Sequence, residues 1–353
     1  MKKHLWAICA AAVLIAFTAY ISLDTFVIST SYAEATDINT EMFSALSDGS
    51  ESTLPSESAA QYNSSQIQDG SDSDSSSAKH GPGSGKSRAS IGSSGNSFGN
   101  SDNDTSGIDA SASYTGDNAV STDNYTITLT EYYQNNTNIY VADVTLNSAQ
   151  YLKTAFANDT YGKNVTEKTS EIAQANNAIL AINGDYYGVQ ESGYVIRNGI
   201  VYRDTAKDSD VLCIYANGTM EIVSDSEYTA DELVSMGVWQ AFTFGPSLVE
   251  NSTVTVGVND EVGKAMASNP RTAIGIIDAN HFVFVVSDGR TSESEGLSLY
   301  ELATFMQSLG VKTAYNLDGG GSSTMYFNDS VVNNPTTGGS IKERGVSDIV
   351  YIG

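Results

Sequence analysis

Basic residues are scarce: 17 Lys and Arg stand against 42 Asp and Glu in 353 residues, for a formal charge of −25. Duplex nucleic acid draws its affinity from cations that neutralise phosphates, so this balance argues against nucleic acid as a partner. Only two cysteines occur, Cys9 in an apolar N-terminal run and Cys213 in a strand-like run. Neither a disulfide framework nor a cysteine metal site can be built from them. Of the three histidines, His4, His80 and His281, the first two fall outside the globular region, which leaves His281 as the sole histidine base for a serine nucleophile such as Ser322 or Ser323. Buriable side chains are few across residues 34–118, where Ser, Gly, Asn and Asp dominate runs such as "SDSDSSSAKH". Such a segment cannot offset its own conformational entropy and reads as a disordered, acidic linker.

The chain begins with Lys2 and Lys3, followed by a run over 5–23 without charge. At about 1.5 Å per residue the run approaches the ~30 Å of a bilayer's hydrocarbon core. Basic residues before it keep that end cytoplasmic and send the remainder across. Residues 1–33 are therefore expected to be a signal anchor; a cleaved signal peptide, with Ser31, Tyr32 and Ala33 at the cleavage site, is the alternative. Both readings place the rest of the chain outside the cytoplasm, as a single-pass protein of the cell membrane with its C-terminal domain extracellular. Residues 34–118 would hold that domain off the membrane surface. Within them, "HGPGSGKS" at 80–87 imitates a nucleotide-binding loop, but His80 replaces the first glycine and no strand precedes it, so it reads as linker.

Residues 119–353 carry the globular domain. Short runs rich in Val, Ile, Tyr and Thr, such as "NIYVADVTL", "AILAING", "RTAIGIID" and "HFVFVVSDG", have the strand signature. Helices are expected near 166–176, over 229–237 behind a Thr229 cap, and over 298–310, where Ser298 and Glu301 form a capping box. Strands outnumber helices without regular alternation, which predicts an α+β fold with a mixed β-sheet core and a few packed helices.

Four strand-like runs end in polar, glycine-containing turns. They contribute Asn183, Gly184 and Asp185; Arg271; Asp288 and Arg290; and Asn316, Asp318, Gly319, Gly320, Gly321, Ser322 and Ser323. Strand ends bring distant side chains to one cleft on a rigid base, which makes these the candidate site. In so acidic a chain, Arg271 and Arg290 suggest a bidentate partner, either a carboxylate of the fold or an anionic substrate oxygen. The glycines after Asp318 can expose N–H groups as an anion nest. Each cluster also has a plainer reading: Asp288-Gly289-Arg290 as a turn, Tyr186 and Tyr187 as half-buried aromatics, Asp318 as the structural partner of Arg271. No cofactor is required. Asp185, Asp288 and Asp318 offer oxygen ligands for Ca2+, but no calcium-loop spacing supports it.

Taken together, "NGDYY" at 183–187, "PRTAIG" at 270–275, "SDGR" at 287–290, "NLDGGGSSTM" at 316–325 and "RGVSDIVYI" at 344–352 resemble the phosphodiester glycosidase family in order and spacing. Asp185 stands where the family more often has glycine. The anchor and linker are similar to those of bacterial, Gram-positive-type members. The resemblance implies hydrolysis of a sugar-1-phosphodiester at its C1–O bond, on a phosphodiester-linked glycan of the cell envelope or an exported exopolysaccharide. On that reading Arg271 and Arg290 clamp the phosphate and Asp318 attacks C1 or activates water. Asp185 and Asp288 act as supporting or alternate acids, Asp185 counted among the catalytic residues, and Asn183, Asn316, Ser322 and Ser323 orient sugar or phosphate oxygens. The alternative is a non-catalytic binding module for an anionic wall polysaccharide.

Overall fold

The computed structural model describes residues 5–36, 38–43, 113–114, 118–260 and 268–353. The glycine-rich 80–87 stretch and nearly all of the expected linker lie outside them.

The uncharged run over 5–23 lies within the helix Leu5–Phe26, whose last turn carries Asp24. Among the described residues, however, no helix is long and apolar enough to cross a membrane. The C-terminal region is layered. A nine-stranded sheet packs against two five-stranded sheets, and between them lies the main core of Ile127, Phe282, Phe284, Ile274, Leu180, Ile182, Leu212, Phe242, Val350 and neighbours. The run "HFVFVV" is apolar at every position after His281 because both of its faces are covered. Phe282, Phe284 and Val286 point into the main core, whereas Val283 and Val285 point to the opposite face.

Each outer face carries one helix. Leu299–Ser308 covers the nine-stranded sheet through Leu302, Phe305 and Met306. Thr169–Ala175 covers one five-stranded sheet through Ile172 and Ala173, and Ala230–Ser235 covers the other through Leu233. All three stand where the sequence places them. The last two are closed at their N-termini by the capping boxes of Thr229 with Glu232 and Ser298 with Glu301.

The expected mixture of strand directions is not found. Every ladder among the described residues is antiparallel, from Tyr125–Gln134 with Thr137–Leu146 to Asp348–Ile352 with Leu180–Asn183. Tight turns join Tyr125–Gln134 to Thr137–Leu146 and Arg271–Asp278 to His281–Ser287, and pairs between distant segments, such as His281–Ser287 with Thr137–Leu146, run antiparallel as well. Antiparallel order also brings strand starts and strand ends to the same rim. Arg271 pairs with Ser287, Ala273 with Asn316, and Ile349 with Asn183, so the four polar clusters meet at one edge of the layered sheets.

The first residues of the expected linker are not free of the domain. Thr30–Glu34 is a strand paired with Thr160–Lys163, Thr36 N–H donates to Tyr202 Oη at 2.9 Å, and Asn39 N–H to Asn198 O at 3.2 Å. The candidate cleavage residues Ser31, Tyr32 and Ala33 therefore sit inside a strand.

Candidate active site

Asn183 ties the two layers together at the rim. Fully buried at the end of its strand, it accepts from Thr272 Oγ1 at 2.8 Å and donates through Nδ2 to the Asp318 carbonyl at 2.7 Å. The Asp318 N–H in turn reaches Gly184 O at 3.3 Å. Two of the clusters read from the sequence are thus in direct contact. Asn183 itself positions the loop and does not face solvent.

Asp318 is the exposed end of this arrangement. Its Oδ2 accepts from Ser322 Oγ at 2.5 Å and from Arg344 Nη2 at 2.9 Å. The side chain keeps 14% of its surface open, and that of Arg344 keeps 41%. Burial pushes the Asp318 carboxyl above the ordinary carboxylate range, while Arg344 and Ser322 pull it back. Arg344 also donates to Ser322 Oγ, and its guanidinium lies 6.0 Å from the exposed ring of Tyr186. Carboxylate, hydroxyl and guanidinium form one hydrogen-bonded unit, open to solvent through Arg344 and partly through Asp318. Arg344 belongs to the "RGVSDIVYI" stretch, but sequence reasoning did not place it in the site. The signal was a scarce arginine beside a strand, the same cue that selected Arg271 and Arg290.

Those two arginines differ. Arg290 is exposed, in a left-handed conformation (φ 63°), with Nε and Nη2 on Asn269 Oδ1 at 3.2 and 2.8 Å. A Cβ on Gly320 would lie 2.8 Å from its Nη2, so its guanidinium borders the glycine turn. Arg271 is 3% exposed and donates Nε to Leu297 O at 2.9 Å. Strand alternation sets it on the side of Ala273, facing the helix layer, while Thr272 turns toward Asn183. Arg271 is enclosed behind the rim rather than presented as a phosphate clamp.

The remaining candidates are mostly internal supports. Asp185, 3% exposed, accepts from Tyr187 N and Thr243 N and pairs with Arg197 at 3.0 Å. Asp288 accepts from Tyr140 Oη, Asn333 Nδ2, Asn334 N and Asn334 Nδ2, all within 3.3 Å, and so pins the loop after the last glycine turn. Among the described residues no group of three His, Cys, Asp or Glu side chains is placed to hold a metal ion. Asn316 donates to Gly245 O at 2.8 Å. Asn316, Ser322 and Ser323 are at most 1% exposed, and Ser322 reaches the rim through Asp318. Of the two tyrosines, Tyr187 is a core residue stacked on Tyr161 at 5.2 Å; Tyr186 is exposed at the rim.

The glycines answer mainly to the fold's own atoms. A Cβ at 319 would come 2.9 Å from Pro270 O, and one at 321 would come 2.6 Å from Thr337 Oγ1. The N–H groups of Gly320, Ser322 and Ser323 are directed to protein carbonyls. Gly320 is the one that needs its freedom, with φ 63°. Gly320→Ala is expected to cost about 1 kcal/mol from the left-handed backbone, to displace Arg290, and to lower turnover beyond that stability loss. Paired melting and rate measurements check this.

Behind the loop lies a buried ionic group that the sequence did not reveal. Arg197, 1% exposed, donates Nε to Asp348 Oδ2 at 2.7 Å and pairs with Asp185, with Phe242 4.2 Å beneath its guanidinium. Burial works against its charge, but the two carboxylates outweigh that and hold it ionised. Burial pushes Asp348 up, and Arg197 opposes it. Asp348 Oδ1 has no hydrogen-bond partner, and a Cβ on Gly184 would meet it at 2.3 Å. Only glycine lets the Asn183 strand pass this carboxylate.

The layered antiparallel fold gathers an acid, a hydroxyl and guanidinium groups at one rim. The sequence model of the phosphodiester glycosidase family matches residues 176–353, and the chain belongs to that family. Similar proteins include an uncharacterized SPbeta prophage-derived protein of Bacillus subtilis, 29% identical over 200 residues, covering 54% of this chain and 30% of that protein. The human N-acetylglucosamine-1-phosphodiester alpha-N-acetylglucosaminidase is 29% identical over 182 residues, covering 47% of this chain and 35% of the enzyme. The chain thus spans about a third of the length of these curated relatives. The catalytic domain of the zebrafish enzyme of the same name, solved in a state auto-inhibited by its pro-peptide, shares the fold. Its TM-score is 0.52 at 19% identity, over 65% of this chain and 82% of that one.

Proposed function

We propose that the chain is a glycosidase that hydrolyses the C1–O bond of a sugar-1-phosphodiester, releasing a free sugar and a phosphomonoester. The observation that carries this reading is the partly open Asp318 carboxylate held between Ser322 Oγ and Arg344 at the rim, within the segment that matches the family. A phosphate monoester is a good leaving group once its charge is met. Guanidinium groups can therefore take the place of the protonated acid that ordinary glycosidases need.

Arg344 and Arg290 are the groups placed to hold the phosphate oxygens. As Arg344 turns to the phosphate, Asp318 is freed to attack C1 or to take a proton from water. Ser322 keeps the carboxylate aimed. The human and zebrafish relatives make an N-acetylglucosamine-1-phosphodiester the first substrate to try. An extracellular, membrane-anchored setting and a cell-envelope or exported glycan complete the proposal; they rest on the apolar run after Lys3.

Incubating the full chain with N-acetylglucosamine-1-phosphodiesters, and with plain glycosides as control, is expected to release reducing sugar from the diesters alone. Arg344→Ala should lower that rate about 10²-fold, the scale of losing one positioned donor to developing charge. Arg271→Ala should act chiefly on stability. A wall-binding module would bind the diester without releasing sugar, and cleavage of plain glycosides alone would remove the guanidinium roles.

A further inference from the structure

The segment after the N-terminal helix makes a continuous set of contacts with the domain. Thr30–Glu34 pairs with Thr160–Lys163 in the register Thr30 to Lys163, Ser31 to Gly162, Ala33 to Tyr161 and Glu34 to Thr160. Among the described residues this is the only sheet to which Thr160–Lys163 belongs. Tyr32 lies 5.8 Å from Tyr161, and Ala35 N–H donates to Asp159 O at 2.8 Å. Further on, Asn39 binds the Asn198 and Gly199 carbonyls. Phe43 meets Trp239 edge-on, with centroids 4.8 Å apart. Nearer the helix, Asn164 Nδ2 donates to Ile28 O at 3.0 Å, and Lys163 pairs with Asp24 at 3.2 Å.

Trp239 has no exposed surface, and Phe43 is one of the groups that cover it. Removing residues 30–43 would open a bare strand edge at 160–163 and uncover apolar rings, both of which favour aggregation.

We infer that residues 30–36 and 38–43 are an intramolecular clasp seated in a groove of the domain. Further along the chain, Ser113–Tyr114 pairs with Ala119–Ser121 of the nine-stranded sheet. The groove's partner is the chain's own strand, recognised by main-chain pairing with Tyr32 and Phe43 as side-chain anchors, in the manner of strand addition. The N-terminal helix is then held beside the domain by residues 24–36 and 38–43. This inference is independent of the catalytic reading.

The test uses the full chain in detergent with a specific protease site inserted within residues 44–112. After complete cutting, native size-exclusion chromatography is expected to show the N-terminal piece co-eluting with the domain. Tyr32→Ala with Phe43→Ala is expected to release it. In the uncut chain, amide exchange at Tyr161, Gly162 and Lys163 should be slow and should speed up in the double variant, a readout that does not depend on the cut. Separation of the wild-type pieces, or retention and exchange that the double variant leaves unchanged, would overturn the clasp.

Discussion

Asp318→Asn is expected to lower kcat by about 10³-fold, within the range for losing a positioned acid, base or nucleophile, without lowering the melting temperature at pH 7. The two outcomes share one cause. Burial raises the Asp318 pKa, which means the fold tolerates the charged form less well than water does. For a carboxylate whose folded pKa is raised, the favourable contribution is complete below the unfolded value, about 3.9. It is lost as pH rises through the folded value. An amide of the same shape avoids that loss, so the variant's stability relative to wild type should improve as pH rises from about 4 toward 7. Ser322 and Arg344 keep an oxygen acceptor, and Arg344 is open enough to water for its lost partner to matter little. Catalysis that needs ionised Asp318 should likewise show an acid limb above the ordinary carboxylate range. Melting curves and pH–rate profiles of both proteins decide the matter; an active variant, or one destabilised at neutral pH, would return Asp318 to a structural role.

Arg197→Met should be the most destabilising single change at the site, costing about 3–5 kcal/mol, the range for breaking a buried ion pair by removing one partner. Asp185 and Asp348 share this one guanidinium, at 3.0 and 2.7 Å. Without it, both carboxylates are buried with no cation, and the Asp348 carboxyl, already pushed up by burial, rises further. The loss should therefore be largest at high pH and shrink as the solution is acidified toward the unfolded carboxylate pKa of about 4, where protonation removes the stranded charge. Arg197→Lys should recover little, since a single ammonium cannot present the planar fork that meets Asp348, Asp185 and the Ala241 carbonyl together. Chemical denaturation between pH 5 and 8 measures both effects. A loss independent of pH would mean that packing over Phe242, not charge, accounts for the arginine.

Much of the fold was legible because it depends on local pattern. The Thr229 cap, the capping box of Ser298 with Glu301, the apolar stripe of Leu302, Phe305 and Met306, and the strand-like "HFVFVV" run each follow from residues within one turn or one strand of each other. The candidate rim was legible for a related reason: polar residues after apolar runs mark strand ends, and antiparallel strands deliver their ends and starts to common edges. Asn183, Asp318 and Arg290 were found in this way.

What those residues do there was not legible. Arg271 and Arg290 look alike in the chain, but one points to the helix layer and the other to solvent, a distinction set by strand phase and by which face a second layer covers. Asp185 and Asp318 both follow apolar strands, yet one is closed over by Arg197 and the other is open beside Arg344.

The amino-acid sequence by itself determined the family, the strand and helix segments, the acidic balance that argues against nucleic acid, and the polar strand ends that meet at one rim. These depend on composition and on spacing within single elements. Tertiary structure alone decided that Arg344 joins Asp318, that Arg197 is spent on two buried acids, and that residues 30–36 and 38–43 lie against the domain. Each of those is a contact between chain segments far apart in sequence, and its geometry exists only once the layers have packed.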